Sequence, residues 1–273
     1  MNSINLSLPA LEEMDVLTEE DIFAFRSNGH TLTPGLLTGA ELQAYKEVIE
    51  KAAAQYNSEK RKMEDRDTYG KAFLQIMNLW RVDEGVRQFV LSRRFGKIAA
   101  SLLGVENVRI YHDQALFKEP GGGPTPWHQD QYYWPLDTTN TVTMWMPLVD
   151  IDVDMGMLTF ASGSHKNGFA LDHEISDESE EGYNQYIQKN GFPVSRANTM
   201  KAGDATWHYG FTIHNAPANK SSLMRSVMTI IYVADGARVI EPGNQWQKND
   251  LEKWLDNKAI GGLVDSSLNP LVL

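Results

Sequence analysis

The pattern of apolar and polar residues changes its period once along the chain, near residue 105. Ahead of that point Thr18 is followed three residues later by Asp21, and Thr38 three residues later by Glu41. This is the spacing at which a threonine hydroxyl caps a helix while the acidic side chain returns to the threonine N–H, so a helix is predicted to start at each. Between them Gly29-His30-Thr31-Leu32-Thr33-Pro34-Gly35 reads as a turn and a short strand. Charges dominate from Lys51 to Arg66, and residues 84–104 carry apolar positions at helical spacing with Gly104 as the stop. The first third, residues 1–104, is therefore predicted to be mainly helical.

From about residue 105 onward, β-rich runs bounded by Gly, Pro, Asn and Asp follow one another at 108–119, 141–151, 156–162, 203–210 and 226–233. Short strands without helical crossovers predict a sandwich, jelly roll or barrel rather than a parallel sheet, with the core at about 105–240. Residues 165–200 interrupt the series. They are acidic, contain glycine and are too long for an ordinary loop, so they read either as a lid or as a surface excursion with some helix of its own.

At 273 residues, 42% of them hydrophobic and seven of them Trp, the chain has material for one sizeable core and is read as a single domain over 1–273. A net charge of −11 disfavours nucleic acid and anionic membranes as partners. The absence of cysteine removes disulfides, thiolate metal sites and thiol nucleophiles, leaving His and carboxylates as metal ligands. The N-terminus carries no basic stretch leading into an apolar one, and no run of about 18 apolar residues occurs, so a cytoplasmic location is expected.

The segment Pro126-Trp127-His128-Gln129-Asp130-Gln131 carries the chemistry. On a strand, residues two apart share a face, so His128 and Asp130 can offer a nitrogen and an oxygen to one ion. A second His would complete a facial triad, which leaves the remaining positions around iron(II) open. Of the seven histidines, the six besides His128 compete for that place. His30 and His173 lie in turn-like or acidic contexts, where a lone His is commonly solvated. His112 and His208 read as core or supporting groups, and His165 as a structural hydrogen-bonding residue in a turn. His214, near a strand end and far along the chain, suits a barrel in which distant strands face each other. Eleven residues further on, Arg225 opens an apolar strand. A buried guanidinium needs a partner, either an internal carboxylate or a bound one, and its fork matches the far end of a dicarboxylate such as 2-oxoglutarate.

Over residues 15–273 the chain resembles the phytanoyl-CoA dioxygenase family. The segments that carry the likeness are Phe25-Arg26-Ser27-Asn28-Gly29-His30, His112-Asp113-Gln114, Lys118-Glu119-Pro120-Gly121, and Trp127-His128-Gln129-Asp130. They continue with Trp145 ahead of Pro147, Asp154-Met155-Gly156-Met157-Leu158, and Ser162-Gly163-Ser164-His165-Lys166. Gly203-Asp204 then leads through His208 to His214 and Arg225, and Ser267-Leu268-Asn269-Pro270 ends the series. The resemblance implies a double-stranded β-helix of the jelly-roll, cupin-like kind, mainly β with flanking helices. It also implies that His128, Asp130 and His214 hold Fe(II), that Arg225 takes the distal carboxylate of 2-oxoglutarate, and that Gln114 and Trp145 line the co-substrate pocket. Lys118 is left open, since an exposed lysine at a strand end is the commoner case.

The activity implied is hydroxylation of a small organic molecule with dioxygen, releasing succinate and carbon dioxide. The related halogenases put chloride where Asp130 stands, so halogenation is not expected. An oxidative cyclase, desaturase or epimerase would use the same scaffold. A hydrolase using another divalent metal and a non-catalytic binding protein are the readings outside this chemistry. The aromatics of Tyr132-Tyr133-Trp134-Pro135 are placed to line an outer pocket for an apolar or cationic substrate, and the acidic insertion makes a coenzyme A thioester less attractive.

Overall fold

Both predicted capping boxes form. The Thr18 hydroxyl accepts the Asp21 N–H while the Asp21 carboxylate accepts the Thr18 N–H, opening α1 (Glu19–Asn28), and Thr38 and Glu41 do the same for α2 (Gly39–Tyr56). Helix α1 ends on Gly29 at φ 84°, a left-handed geometry that costs glycine little. The chain passes directly into β1 (His30–Thr33), the short strand expected there. The computed structural model describes residues 8–171 and 175–273, so His173 lies outside the described residues.

In chain order there follow α3 (Thr68–Ala72), β2 (Leu74–Met77), α4 (Glu84–Val90), α5 (Arg93–Leu103), β3 (Val108–Lys118), β4 (Thr125–His128), β5 (Thr141–Pro147), β6 (Ile151–Asp152) and β7 (Thr159–Ala161). The remainder comprises α6 (Asp177–Asn190), β8 (Val194–Ser195), β9 (Thr199–Met200), β10 (Ala205–Tyr209), β11 (His214–Ala216), β12 (Arg225–Ala234) and α7 (Gln245–Trp254). The helical pattern at 84–104 resolves into two helices rather than one. Ser92 leaves helical geometry and accepts the Arg94 N–H, capping α5, which Gly104 closes at φ 73°.

A six-stranded antiparallel sheet in the order β1-β10-β5-β12-β3-β2 is accompanied by a four-stranded one, β4-β11-β7-β8, in a jelly roll with flanking helices. The largely helical first third thus also supplies both edges of the large sheet. Strand β12 is buried at all ten positions. Its alternation sends Met228, Ile230 and Tyr232 into the core shared with α2, α4 and α5, and puts Arg225, Thr229 and Ile231 on the wall of the cavity.

Within 165–200, helix α6 packs against β4. The Glu180 carboxylate accepts the Trp127 N–H at 2.8 Å, and Tyr183 is buried with Trp127 and Ile213. The insertion therefore has helix of its own and backs the strand that ends in His128. At the other end of the chain, the buried Asn269 amide reaches the carbonyls of Ile110, Tyr111 and Trp254, tying α7 to β3.

Arg94, 4% exposed, carries the N-terminal layer. Its guanidinium donates to both Glu41 carboxylate oxygens at 2.8 and 3.1 Å and to the Leu36 carbonyl. Replacing one partner leaves the other as a buried, uncompensated charge. Arg94→Leu is expected to lower unfolding free energy by about 3–5 kcal/mol, read by denaturant titration. A loss below about 1 kcal/mol, the range of exposed pairs, would show the pair to be screened by water.

Candidate active site

His128 closes β4 and His214 opens β11, and the two are direct partners across the antiparallel ladder. Their ring centroids lie 4.1 Å apart. Each ring is braced in the same way, with Nδ1 of His128 2.8 Å from the Pro126 carbonyl and Nδ1 of His214 3.0 Å from the Thr212 carbonyl. A carbonyl only accepts, so each Nδ1 carries the proton and each Nε2 is left with a lone pair.

The Asp130 Oδ1 lies 3.6 Å from one of these nitrogens and 3.7 Å from the other. Burial alone would raise the Asp130 carboxyl, but His214, His128 and His208 outweigh it and hold it well below the usual carboxylate range. His214 is pushed well below the usual imidazole range by burial, with His128 and His208 beside it. Three potential donor atoms thus lie within 4.8 Å of one another, an arrangement that suits a shared cation. Two neutral imidazoles and one carboxylate are the donor set that suits Fe(II).

Asp130 is not on the strand, which corrects the expectation that strand alternation alone aligns it with His128. The chain leaves β4 at Gln129, and Asp130 opens a one-turn 3-10 helix, Asp130–Tyr133. The buried Gln129 fixes the corner by donating to the carbonyls of Phe211 and Gly168 and accepting the Ala170 N–H. The second Asp130 oxygen accepts from the Thr143 hydroxyl at 2.9 Å and from His208 Nε2 at 3.2 Å. His208 then has its Nδ1 unprotonated, and that atom is buried without a partner.

The other histidines separate. His165 Nε2 meets the Arg26 carbonyl, the structural bond expected of it. His30 is half-buried and partnered, not freely solvated. Edge strand β1 pairs it with His208, its ring stacks on Phe160 at 4.4 Å, Nε2 lies 2.8 Å from the Ser162 hydroxyl, and burial lowers its pKa to about 4. His112 is buried in the cavity wall with Nδ1 unpartnered, and burial lowers its pKa to about 3.

Arg225, 1% exposed, donates through Nη1 to the Gly156 carbonyl at 2.5 Å, sits over the Trp145 ring at 5.3 Å and leaves Nε without a partner. Burial lowers its pKa to about 9. Directly across the ladder is Lys118, which is fully buried, not an exposed strand-end residue. Its ammonium is held by the Gly123 carbonyl, and burial together with Arg225 lowers its pKa to about 6. Among the described residues neither cation has a carboxylate within 4.0 Å. The internal Asp or Glu partner that Arg225 could have had is therefore not found there.

A cavity of about 500 Å³ is lined by the triad, Arg225, Trp145 and Gln114, whose amide oxygen accepts from Gln75. Its outer wall includes Tyr133 and Trp134, singled out from the sequence, and Trp246, Asn249, Asp250 and Trp254 of α7, which were not. No motif marks α7. The available signal was the recurrence of large and polar residues at helical spacing through 246, 249, 250, 253 and 254.

The model of the phytanoyl-CoA dioxygenase (PhyH) family matches residues 25–227. A probable alpha-ketoglutarate-dependent hypophosphite dioxygenase of Stutzerimonas stutzeri is 26% identical over 160 residues, covering 56% of this chain and 54% of that one. The phytanoyl-CoA dioxygenase domain-containing protein 1 of Danio rerio is 26% identical over 293 residues, covering 87% and 97%. Among solved structures, the non-heme alpha ketoglutarate dependent carbocyclase SnoK from nogalamycin biosynthesis superposes with a TM-score of 0.76 at 25% identity, covering 94% and 97%. No helix among the described residues is long and apolar enough to cross a membrane. The family model spans the three clustered donors and the buried guanidinium alike, and the chain belongs to the phytanoyl-CoA dioxygenase family of iron(II)/2-oxoglutarate-dependent oxygenases.

Proposed function

We propose that the protein hydroxylates a small organic molecule, with His128, Asp130 and His214 holding Fe(II) and Arg225 gripping the distal carboxylate of 2-oxoglutarate. The observation that carries this reading is the pairing, in one cavity, of three potential donor atoms with a buried guanidinium that lacks a carboxylate partner. When bound, iron couples dioxygen and the decarboxylation of 2-oxoglutarate to succinate and carbon dioxide with a two-electron oxidation of the substrate.

The chain's own part is orientation. The Pro126 and Thr212 carbonyls fix the tautomer of each histidine ligand, while Thr143 and His208 occupy one Asp130 oxygen and leave the other for the metal. Trp145 presents its ring face to the guanidinium, and Lys118 adds a second basic group across the ladder from it. Gln114 supplies an amide to the cavity wall. Asp130 occupies the position where a halide would otherwise have to sit, so the outcome assigned is oxidation without halogen transfer.

Anaerobic reconstitution with Fe(II) and 2-oxoglutarate should give the weak visible charge-transfer band of the chelate, and His128→Ala and Arg225→Ala should lose or greatly weaken it. Folded, iron-loaded wild-type protein without the band would sink the reading in favour of a hydrolase or binding protein. Activity that persists without oxygen and 2-oxoglutarate would point the same way.

The support given to Asp130 can be tested separately. His208→Phe and Thr143→Val should each weaken iron affinity about 10- to 100-fold, as loss of a hydrogen bond behind a metal ligand does. Competition against a chromogenic chelator measures this, and unchanged affinity in both variants would show that Asp130 is held by the 3-10 turn alone.

A further inference from the structure

The cavity has a second charged group that the reading above does not use. Asp250 lines it from α7, and its carboxylate accepts the Tyr111 hydroxyl at 2.9 Å. Among the described residues no Lys, Arg or His nitrogen lies within 4.0 Å of it. Lys253, one turn on, is exposed and makes no ion pair with it. Burial outweighs the Tyr111 hydroxyl, the Lys253 charge and the Trp254 indole, raising the Asp250 pKa to about 7.

Its surroundings are aromatic. Tyr133, Trp134, Trp246 and Trp254 share this part of the wall, and the neutral His112 imidazole lies beside Trp254, with ring centroids 5.5 Å apart. The strand register places the group. Thr143, which braces Asp130, and His112, next to Tyr111, both pair with Ile231 of β12. Asp250 is thereby level with the metal ligands. Arg225 opens the same strand six residues before Ile231, so its side chain enters the cavity from the other end of the strand. Arg225 without a carboxylate contact and Asp250 without a cation contact thus face different parts of one cavity.

An apolar substrate would cover the half-buried Asp250 carboxylate without bringing a counter-charge into contact with it. An anion would meet that carboxylate, with the solvent-exposed Lys253 as the cation on the same helix. A cation satisfies the carboxylate and the ring faces together. Resting on the oxygenase reading, we propose that the outer end of the cavity binds a small organic cation, a substrate carrying an ammonium group, with Asp250 as its counter-ion and Trp246 and Trp254 flanking it.

The test uses the full chain loaded anaerobically with Fe(II) and 2-oxoglutarate. Choline is titrated against its uncharged carbon isostere dimethylbutanol, and butylammonium against pentanol. Binding is followed by tryptophan fluorescence and by perturbation of the visible band. At least one cation should bind about tenfold or more tightly than its isostere, the discrimination of a charge-assisted contact. Asp250→Asn should bring the two to parity while keeping the band, and Trp246→Ala, at an exposed position, should weaken the cation about threefold.

Equal binding of cations and isosteres, no binding of either cation, or a preference that survives Asp250→Asn overturns the proposal. A missing band in wild-type protein fails the metal and 2-oxoglutarate assignment instead, because fluorescence reads the cation preference independently of it.

Discussion

The structure depends on one strand being out of water on both faces. All ten residues of β12 are buried, and their backbone groups are satisfied by β3 on one side and β5 on the other. With both faces covered, the two-residue period divides labour between two dry compartments. One face packs into the helices through Met228, Ile230 and Tyr232, and the other lines the cavity. Arg225 begins this strand and inherits its burial, which is why a surface-loving side chain lacks hydration here. The same ladder places Lys118 across from it, so two basic groups share one dry corner and burial together with Arg225 helps to strip Lys118 of its proton.

The centre is defined by where ordinary partners are withheld. Each histidine of the triad is supplied with an acceptor at Nδ1 and with nothing but other electron pairs at Nε2. Asp130 is supplied with two donors at one oxygen only. Polar atoms left unmatched in a low-dielectric interior are costly, and the cost is recovered when a ligand of complementary charge arrives. Pre-orientation of this kind requires rigid supports, which the Gln129 corner and the β4–β11 pairing provide.

How much of this was legible in the sequence follows the range of the interactions involved. The capping boxes at Thr18 and Thr38 were readable because donor and acceptor lie three residues apart. The strands around Thr143 and Met228 were readable through their local β-rich character. The His128-x-Asp130 spacing drew attention to residues that the structure brings together with His214, although a turn and not strand alternation achieves it. His30 and Lys118 were misjudged because their burial is set by β10 and by the Gly156 backbone, far away in the chain. The break at Ser92 was hidden by apolar spacing that runs smoothly from α4 into α5. The face of α7 carried helical spacing but no motif, and its docking against β3 and the turn after β4 gives it a role.

That docking separates two kinds of inheritance within the chain. The groups proposed to hold the metal and co-substrate sit on the sheets and on the corner after β4, where a change of residue disturbs the jelly roll itself. The groups facing the mouth sit on a helix that follows the last strand and is held by Asn269, by Gln247 on the Tyr132 carbonyl and by the packing of Leu251 and Trp254. Such a helix can exchange side chains without disturbing a strand register. Divergence among descendants of this scaffold can therefore proceed by rewriting α7 while the oxidative centre is passed on unchanged.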